Sequence, residues 1–551
     1  MSADAIAPRP RQLIVLCDGT NNSVDAGGLG TNVLQLARCF NLQDTQQKVF
    51  YDPGVGSAAN APGATWADKF KQRVERIKGL AFGDGVFDNI AQAYVFLMRE
   101  YQIGDEIYIF GFSRGAFTAR GVVGMVNQFG LLPPHLDNQL PLLLNIYFAG
   151  AGEKRNQAAA GIKQISVPND RSKVVVHFIG VWDTVATIGV PPLDKQFSVQ
   201  PTMVGWSEAQ RCWRPKHFTH VRQALALDEH RALFAPRQYE NCNFDCNEFG
   251  QSLAQRWFPG AHVDVGGAYM KSPVISHAAL HWLWREACSK GLRASEPATP
   301  EQLLTAPTVL HSELYSNPWW AAGGMCVRQP EPNWAQAVPD ADLPTQQLRY
   351  PQDTVWSRDS AMNAYRPPRR WWTLAIAALV CAVLMAAMGW AVADLGRADL
   401  WRASSWCSAL HANKLMALWQ LNAVFGSANP IHLTETAKLS TALLLDFAFI
   451  AAYAYLLGRL CSRAFAAIAG LTTVHSRAPR ALNILGMGLL VLVVADLLEN
   501  TSHLLYLATQ NQVWPIVTAS LALAITLASL AKWTGLGMCC VLMLWGAVKR
   551  R

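Results

Sequence analysis

Hydrophobic and polar positions follow two regimes along the chain. From residue 11 to about residue 290, short apolar runs alternate with stretches of helical period. That is the pattern of an α/β fold with a mostly parallel sheet flanked by helices. Gln12–Cys17 reads as a buried strand ending at Asp18-Gly19-Thr20, and Lys48–Tyr51 as a second ending at Asp52-Pro53-Gly54. Glu106–Phe110 is a third, running into Gly111-Phe112-Ser113-Arg114-Gly115. Lys173–Gly180 is a fourth, ending at Val181-Trp182-Asp183-Thr184. Leu253–Phe258 is a fifth, followed by Gly260-Ala261-His262-Val263-Asp264. Thr31–Phe40, Asp84–Tyr101 and Ala116–Val126 carry helical spacing, and residues 295–365 are Pro-rich and predict irregular chain.

After residue 370 the pattern changes. Trp371–Ala393 and Val513–Ala531 are uncharged, Thr441–Leu457 carries only Asp446, and Ala481–Leu498 only Asp496. Each predicts a transmembrane helix. Trp533–Val548 is short for a span and is left as interfacial, re-entrant or a fifth helix. Trp371, Trp372, Trp390, Trp514 and Trp533 sit at segment ends, where indoles favour the headgroup layer. The boundaries this predicts are an α/β domain over 1–294, a Pro-rich segment and linker over 295–367, and a C-terminal α-helical transmembrane domain over 368–551.

Composition agrees. The chain has 551 residues, 51% apolar and only 16% charged, against about 25% charged in soluble proteins. The net charge of +8 is unevenly placed: residues 366–551 hold 15 Lys and Arg against 6 Asp and Glu, while residues 1–365 hold 32 against 33. The basic excess therefore belongs to the membrane part and gives no argument for nucleic acid. Arg366, Arg369 and Arg370 precede the first apolar segment, Arg459, Arg463, Arg477 and Arg480 separate the second and third, and Lys532 follows the fourth. Lys549, Arg550 and Arg551 end the sequence, and Glu499–Gln512 has no Lys or Arg. Four spans of a multi-pass inner-membrane protein, with both termini and the α/β domain cytoplasmic, satisfy this pattern. The loop 394–440, placed outside, goes against it with Arg397, Arg402, Lys414 and Lys438. Met1–Arg11 predicts no secretory signal. Cys242-x₃-Cys246 is half a metal site without a matching pair, so neither metal nor cofactor is expected.

The candidate chemistry lies at the ends of the strands. A Gly-x-Ser-x-Gly run is weak alone, but an apolar strand before Ser113 and a small-residue helix after it are the setting of a nucleophile elbow. The alternative is a plain strand–helix turn. A serine needs a base, and the base an orienting carboxylate. His262 follows a strand in a Gly-rich loop, and Asp183 follows another; Asp264 is the rival acid or a tether for that loop. His177 lies inside a strand. His277 and His281 are four apart on a helix but lack the Glu of a zincin. Asp18 is expected to shape its loop. An oxyanion hole would take the N–H of Arg114 and a second N–H from the Gly19-Thr20 turn.

These blocks, with Thr31-Asn32-Val33 and Phe258-Pro259-Gly260-Ala261-His262-Val263-Asp264-Val265-Gly266-Gly267, resemble the uncharacterised α/β-hydrolase domain family. That family includes the phospholipase effectors of type VI secretion (the first Tle class). The resemblance covers about residues 10–367, with Ser357–Pro367 as the closing segment. It implies a Ser-Asp-His lipase acting on glycerophospholipid acyl esters, with Ser113 as nucleophile, Asp183 as acid and His262 as base. As an antibacterial effector, the chain would also meet a secretion machinery and an immunity protein and be delivered to other cells. Two other classes stay open on the residues alone. One is a channel or pore with a hydrolase-like sensory domain, for which Asp446 and Asp496 speak. The other is a catalytically silent binding module.

Overall fold

In a computed structural model of the full chain, the structure describes residues 10–19, 30–41, 43–54, 84–148, 153–166, 168–185, 218–239, 252–269, 273–298, 309–328, 336–337, 363–364, 371–392, 433–469, 478–509 and 515–549. Thr20, Cys242, Cys246, Trp514 and most of the 394–440 loop and of Ser357–Pro367 lie outside them. The chain divides into two compact units. The first comprises Met1–Glu229, Leu233–Ser312 and Arg328–Tyr365, and the second His230–Ala232, Glu313–Val327 and Arg366–Arg551.

The first unit is a parallel sheet. Six strands, β1 (Gln12–Cys17), β2 (Gln47–Asp52), β3 (Glu106–Phe112), β4 (Val176–Trp182), β5 (Phe218–Ala226) and β6 (Ser252–Phe258), run in the order β2-β1-β3-β4-β5-β6. The two-residue strand β7 (Gln336–Ala337) adds at the β6 edge, and every pairing is parallel. The helices are α1 (Asn32–Ala37), α2 (Asp84–Glu100), α3 (Arg114–Phe129), α4 (Leu140–Phe148), α5 (Glu153–Ile165), α6 (His262–Gly266) and α7 (Val274–Ser289).

Alternation along the strands feeds two cores. Leu13, Val15, Ile107, Ile109 and Val181 pack with α2, α3 and α4. Ile14, Leu16, Phe110, Phe178 and Trp182 pack with α1 and α7 on the opposite face. A strand buried on both faces has no polar side, hence the continuous apolar runs. The chain winds outward from β1 to β2 and then returns to place β3 on the other side of β1. The carboxyl ends of β1 and β3 therefore frame the topological switch point, where open α/β sheets open their crevice.

The fourth strand begins later than the sequence suggests. Pro168–Lys173 is a 3₁₀ helix, so pairing starts at Val176. Strand β5 went unseen because His220, Arg222 and Gln223 interrupt its apolar run, although all three are buried. Each is satisfied: His220 Nδ1 pairs with Ser252 Oγ (2.9 Å), Arg222 with Glu286, and Gln223 Nε2 donates to Arg237 O (2.9 Å).

The second unit is helical: α8 (Trp371–Val392), α9 (Leu433–Ala469), α10 (Ala478–Gly486), α11 (Gly488–Thr509) and α12 (Pro515–Lys549). Among the described residues three stretches are long and apolar enough to cross a membrane, Ser440–Ala469, Arg480–Leu505 and Leu523–Val548, and Trp372–Met388 is a shorter apolar one. Trp533–Val548 is no separate element. It continues the helix begun at Pro515, because nothing between Ala531 and Trp533 breaks a helix and Lys532 finds partners in Asp496 (2.5 Å) and Glu499 (3.3 Å). At about 50 Å, α12 exceeds a bilayer core of ~30 Å. Helices α11 and α12 cross at glycine: a Cβ on Gly535 would stand 2.6 Å from Leu492 N and 2.7 Å from Gly488 O. Such close approach is how small residues tie apolar helices together. Asp446 accepts from Asn500 Nδ2 (2.8 Å) and Asp496 from the Tyr453 hydroxyl (2.7 Å). The segment before residue 328 belongs to this unit: Asn483 Oδ1 accepts the Val327 N–H at 2.6 Å, and Met325 N–H donates to Gly486 O at 3.0 Å.

Candidate active site

Strand β3 delivers Ser113 into a turn too sharp for ordinary backbone. Ser113 sits at φ 58°, ψ −122°, and only Asp183 (φ 40°) and Ala268 (φ 93°) share positive φ among the described non-glycine residues. Such strain persists only where the surroundings enforce it. Here the Ser113 N–H donates to Trp182 O (3.1 Å), and Ser113 O accepts from Val185 N–H (3.4 Å). Two glycines allow the turn. A Cβ on Gly111 would stand 2.5 Å from Gly115 O, and one on Gly115 would stand 2.2 Å from Cys17 O and 2.4 Å from Asp18 O. The start of α3 therefore lies against the end of β1. The first residues of α3, from Arg114 on, have N–H groups with no acceptor within the helix.

Two more strand ends complete the site. Asp183 follows β4, and its N–H donates to Ala224 O of β5 at 2.7 Å. His262 opens α6 after β6. His262 Nε2 lies 2.8 Å from Ser113 Oγ, and His262 Nδ1 lies 2.6 Å from Asp183 Oδ2. All three are buried, with Ser113 at 8% exposure. Phe112 and Phe234 flank the imidazole, with ring centroids at 4.7 and 5.1 Å. The His262 N–H donates to Glu229 Oε2 at 3.2 Å. Burial alone would raise the Asp183 carboxyl, but the Arg328 guanidinium and the His262 hydrogen bond outweigh it and hold the group below its ordinary value. An ionised carboxylate, an imidazole and a hydroxyl in hydrogen-bonded series can move a proton from oxygen to nitrogen.

The other candidates stand elsewhere. Asp264 turns away from His262: Oδ2 accepts the N–H groups of Ala261 (2.8 Å) and His311 (3.0 Å), and Oδ1 meets His311 Nδ1 at 2.6 Å. Asp18 Oδ2 accepts from Thr31 Oγ1 (2.6 Å) and the Tyr51 hydroxyl (2.8 Å), tying the β1 end to α1 and β2. The Gly19 N–H is taken by Asp18 Oδ1 at 2.6 Å, and Thr20 lies outside the described residues. His177 Nε2 meets Lys290 O at 2.8 Å and serves the strand face. His277 lies buried on α7, where burial pushes it down to about 4.

The comparisons bear on this geometry. Residues 11–286 match the family model described as "T6SS, Phospholipase effector Tle1-like, catalytic domain". The chain belongs to that family. As a Tle1-like protein it places Ser113, Asp183 and His262 all inside the matched span. It is 29% identical over 231 residues to an uncharacterized protein of Saccharomyces cerevisiae, covering 40% of this chain. The chain spans about a third of that curated relative's length (32%). An uncharacterized protein from Pseudomonas aeruginosa, known from a crystal structure, superposes with a TM-score of 0.30 at 13% identity, over 88% of this chain and 67% of the other. That likeness is too distant to carry an argument.

Arg328 is the site residue that sequence reasoning missed, and it lies beyond the matched span of the Tle1-like domain. Its guanidinium forks onto Asp183, Nη1 to Oδ1 at 2.6 Å and Nη2 to Oδ2 at 3.0 Å. It stands in the Pro-rich segment between Gly324 and Pro330, where no periodicity or motif marks it.

Proposed function

We propose that this chain is a membrane-anchored serine esterase that cleaves acyl esters of glycerophospholipids, a phospholipase A, acting as a type VI secretion effector. The Ser113–His262–Asp183 hydrogen-bonded series carries the reading, and membership of the Tle1-like family supports the lipid substrate. Ser113 Oγ attacks the acyl carbonyl while His262 Nε2 takes its proton. The N–H of Arg114 and a second N–H from the Gly19-Thr20 turn stabilise the oxyanion. Protonated His262 then gives the proton to the departing glycerol oxygen, leaving an acyl-serine and a lysophospholipid. Water, deprotonated by the same nitrogen, releases the fatty acid and restores Ser113. Asp183 keeps the imidazole oriented and stabilises its charged form. The C-terminal helices anchor the enzyme in its substrate phase and raise the local lipid concentration. On the charge pattern, this anchor sits in the inner membrane with the catalytic domain and both termini cytoplasmic. As an effector, the chain is delivered by the secretion machinery and neutralised in the producer by an immunity protein. The acids that alone would favour a channel, Asp446 and Asp496, have partners on neighbouring helices.

A fluorophosphonate probe applied to membranes containing the full chain tests this reading. The adduct is expected on the Ser113 peptide, lost in His262→Ala, and retained in the membrane pellet after alkaline carbonate extraction. An adduct on another residue, or label released into the supernatant, would contradict the mechanism or the anchoring respectively.

A further inference from the structure

The Asp183 carboxylate holds more than its histidine. An ionised carboxylate offers about four acceptor directions, and here four donors fill them. Oδ2 takes His262 Nδ1 (2.6 Å) and Arg328 Nη2 (3.0 Å), and Oδ1 takes Arg328 Nη1 (2.6 Å) and the Ala226 N–H (3.0 Å). The Arg328 side chain is only 2% exposed. Its remaining contacts are to Ala226 O (2.6 Å) and Phe234 O (2.5 Å), so it also binds the end of β5 to the loop bearing the ring that packs edge-on against His262. This is a buried charge on a buried charge, and neither reaches the reacting oxygen.

We infer that Arg328 is a positioning residue for the proposed reaction: it locks the Asp183 carboxylate in place and offsets its charge, so that His262 is held where it can take the serine's proton. The inference rests on the reading of Ser113 as nucleophile. Its physical basis is charge balance. A lone buried carboxylate beside an imidazole draws a proton onto the pair, and a protonated imidazole cannot accept one from serine. With Arg328 in place the pair is compensated before catalysis begins. The titratable and charged groups in contact with His262 or with its carboxylate partner are Ser113, Asp183, Glu229 and Arg328. The acids outnumber the cation, so removing Arg328 leaves negative charge uncompensated.

The test is the pH profile of kcat/KM for the full chain on a soluble short-chain ester. For Arg328→Met the acid limb is expected to move up by about one unit or more. Activity near neutrality falls by about two orders of magnitude and recovers in part at high pH, with KM little changed because Arg328 does not touch the ester. Arg328→Lys keeps the charge and loses the fork. Its limb is expected to stay near the wild-type position while kcat falls. Rates are normalised to the folded fraction measured at each pH, so that acid unfolding of a less stable variant does not imitate the shift. An unmoved limb in Arg328→Met, with equal loss at every pH, would reduce Arg328 to a structural part and overturn the inference. Activity within about threefold of wild type would overturn it as well. Wild-type turnover that survives Ser113→Ala would remove the reading beneath it and the inference together.

Discussion

Ser113→Ala is expected to lower kcat/KM on a soluble ester by about 10⁴-fold or more. The Ser113 Oγ–His262 Nε2 contact of 2.8 Å makes the two side chains one chemical unit. His262→Ala should therefore lose a comparable factor, and the double variant should lose little more. Independent contributions would multiply. Asp183 is the instructive third member. Asp183→Ala leaves the Arg328 guanidinium buried without its carboxylate, which costs about 3–5 kcal/mol of stability on top of the chemistry. Asp183→Asn keeps the shape and isolates the electrostatic part. Steady-state kinetics, normalised to the folded fraction of each variant, check the set. A double variant that falls by the product of the single losses would contradict the shared unit.

Gly115→Ala should be among the most damaging single-methyl additions in the chain. The added carbon would stand 2.2 Å from Cys17 O and 2.4 Å from Asp18 O, both backbone atoms that no side-chain rotation can clear. Either α3 withdraws from β1 or β1 bends, and both displace Ser113 from the switch point. A loss of about 3 kcal/mol or more is expected, seen as a lowered thermal midpoint in detergent together with lost fluorophosphonate labelling. Gly161 supplies the comparison. It lies in α5 with nothing within 4 Å of an added Cβ. Gly161→Ala should gain up to about 1 kcal/mol from helix propensity. Equal midpoints for the two variants would refute the account of the turn.

What the sequence disclosed follows from where polarity and period coincide. Strands β1 and β3 are apolar on both faces, and each ends at a Gly-bearing turn, so Gln12–Cys17 was legible to the residue and β3 to within two residues of its end. Ser113, Asp183 and His262 stood out as candidates for the same reason, each just past an apolar run, and the fold brings the three side chains together. Strand β5 was hidden because its buried polar side chains are satisfied by tertiary partners that no local pattern announces. Arg328 was hidden more deeply. Its partner lies 145 positions earlier, and nothing local marks the arginine as buried. The end of α12 was misjudged because Lys532 looks like a boundary in one dimension. In three dimensions it faces Asp496 and Glu499 and the helix runs on.

The most direct measurement takes the purified full chain in vesicles of one defined phospholipid in ¹⁸O-water and identifies the products by mass spectrometry. The account predicts lysophospholipid and free fatty acid in equal amounts. The heavy oxygen should appear only in the fatty acid, because water enters at the acyl carbonyl of the acyl-serine, and Ser113→Ala should form neither product. Release of the headgroup with both acyl chains left in place, or product formation undiminished in Ser113→Ala, would contradict it.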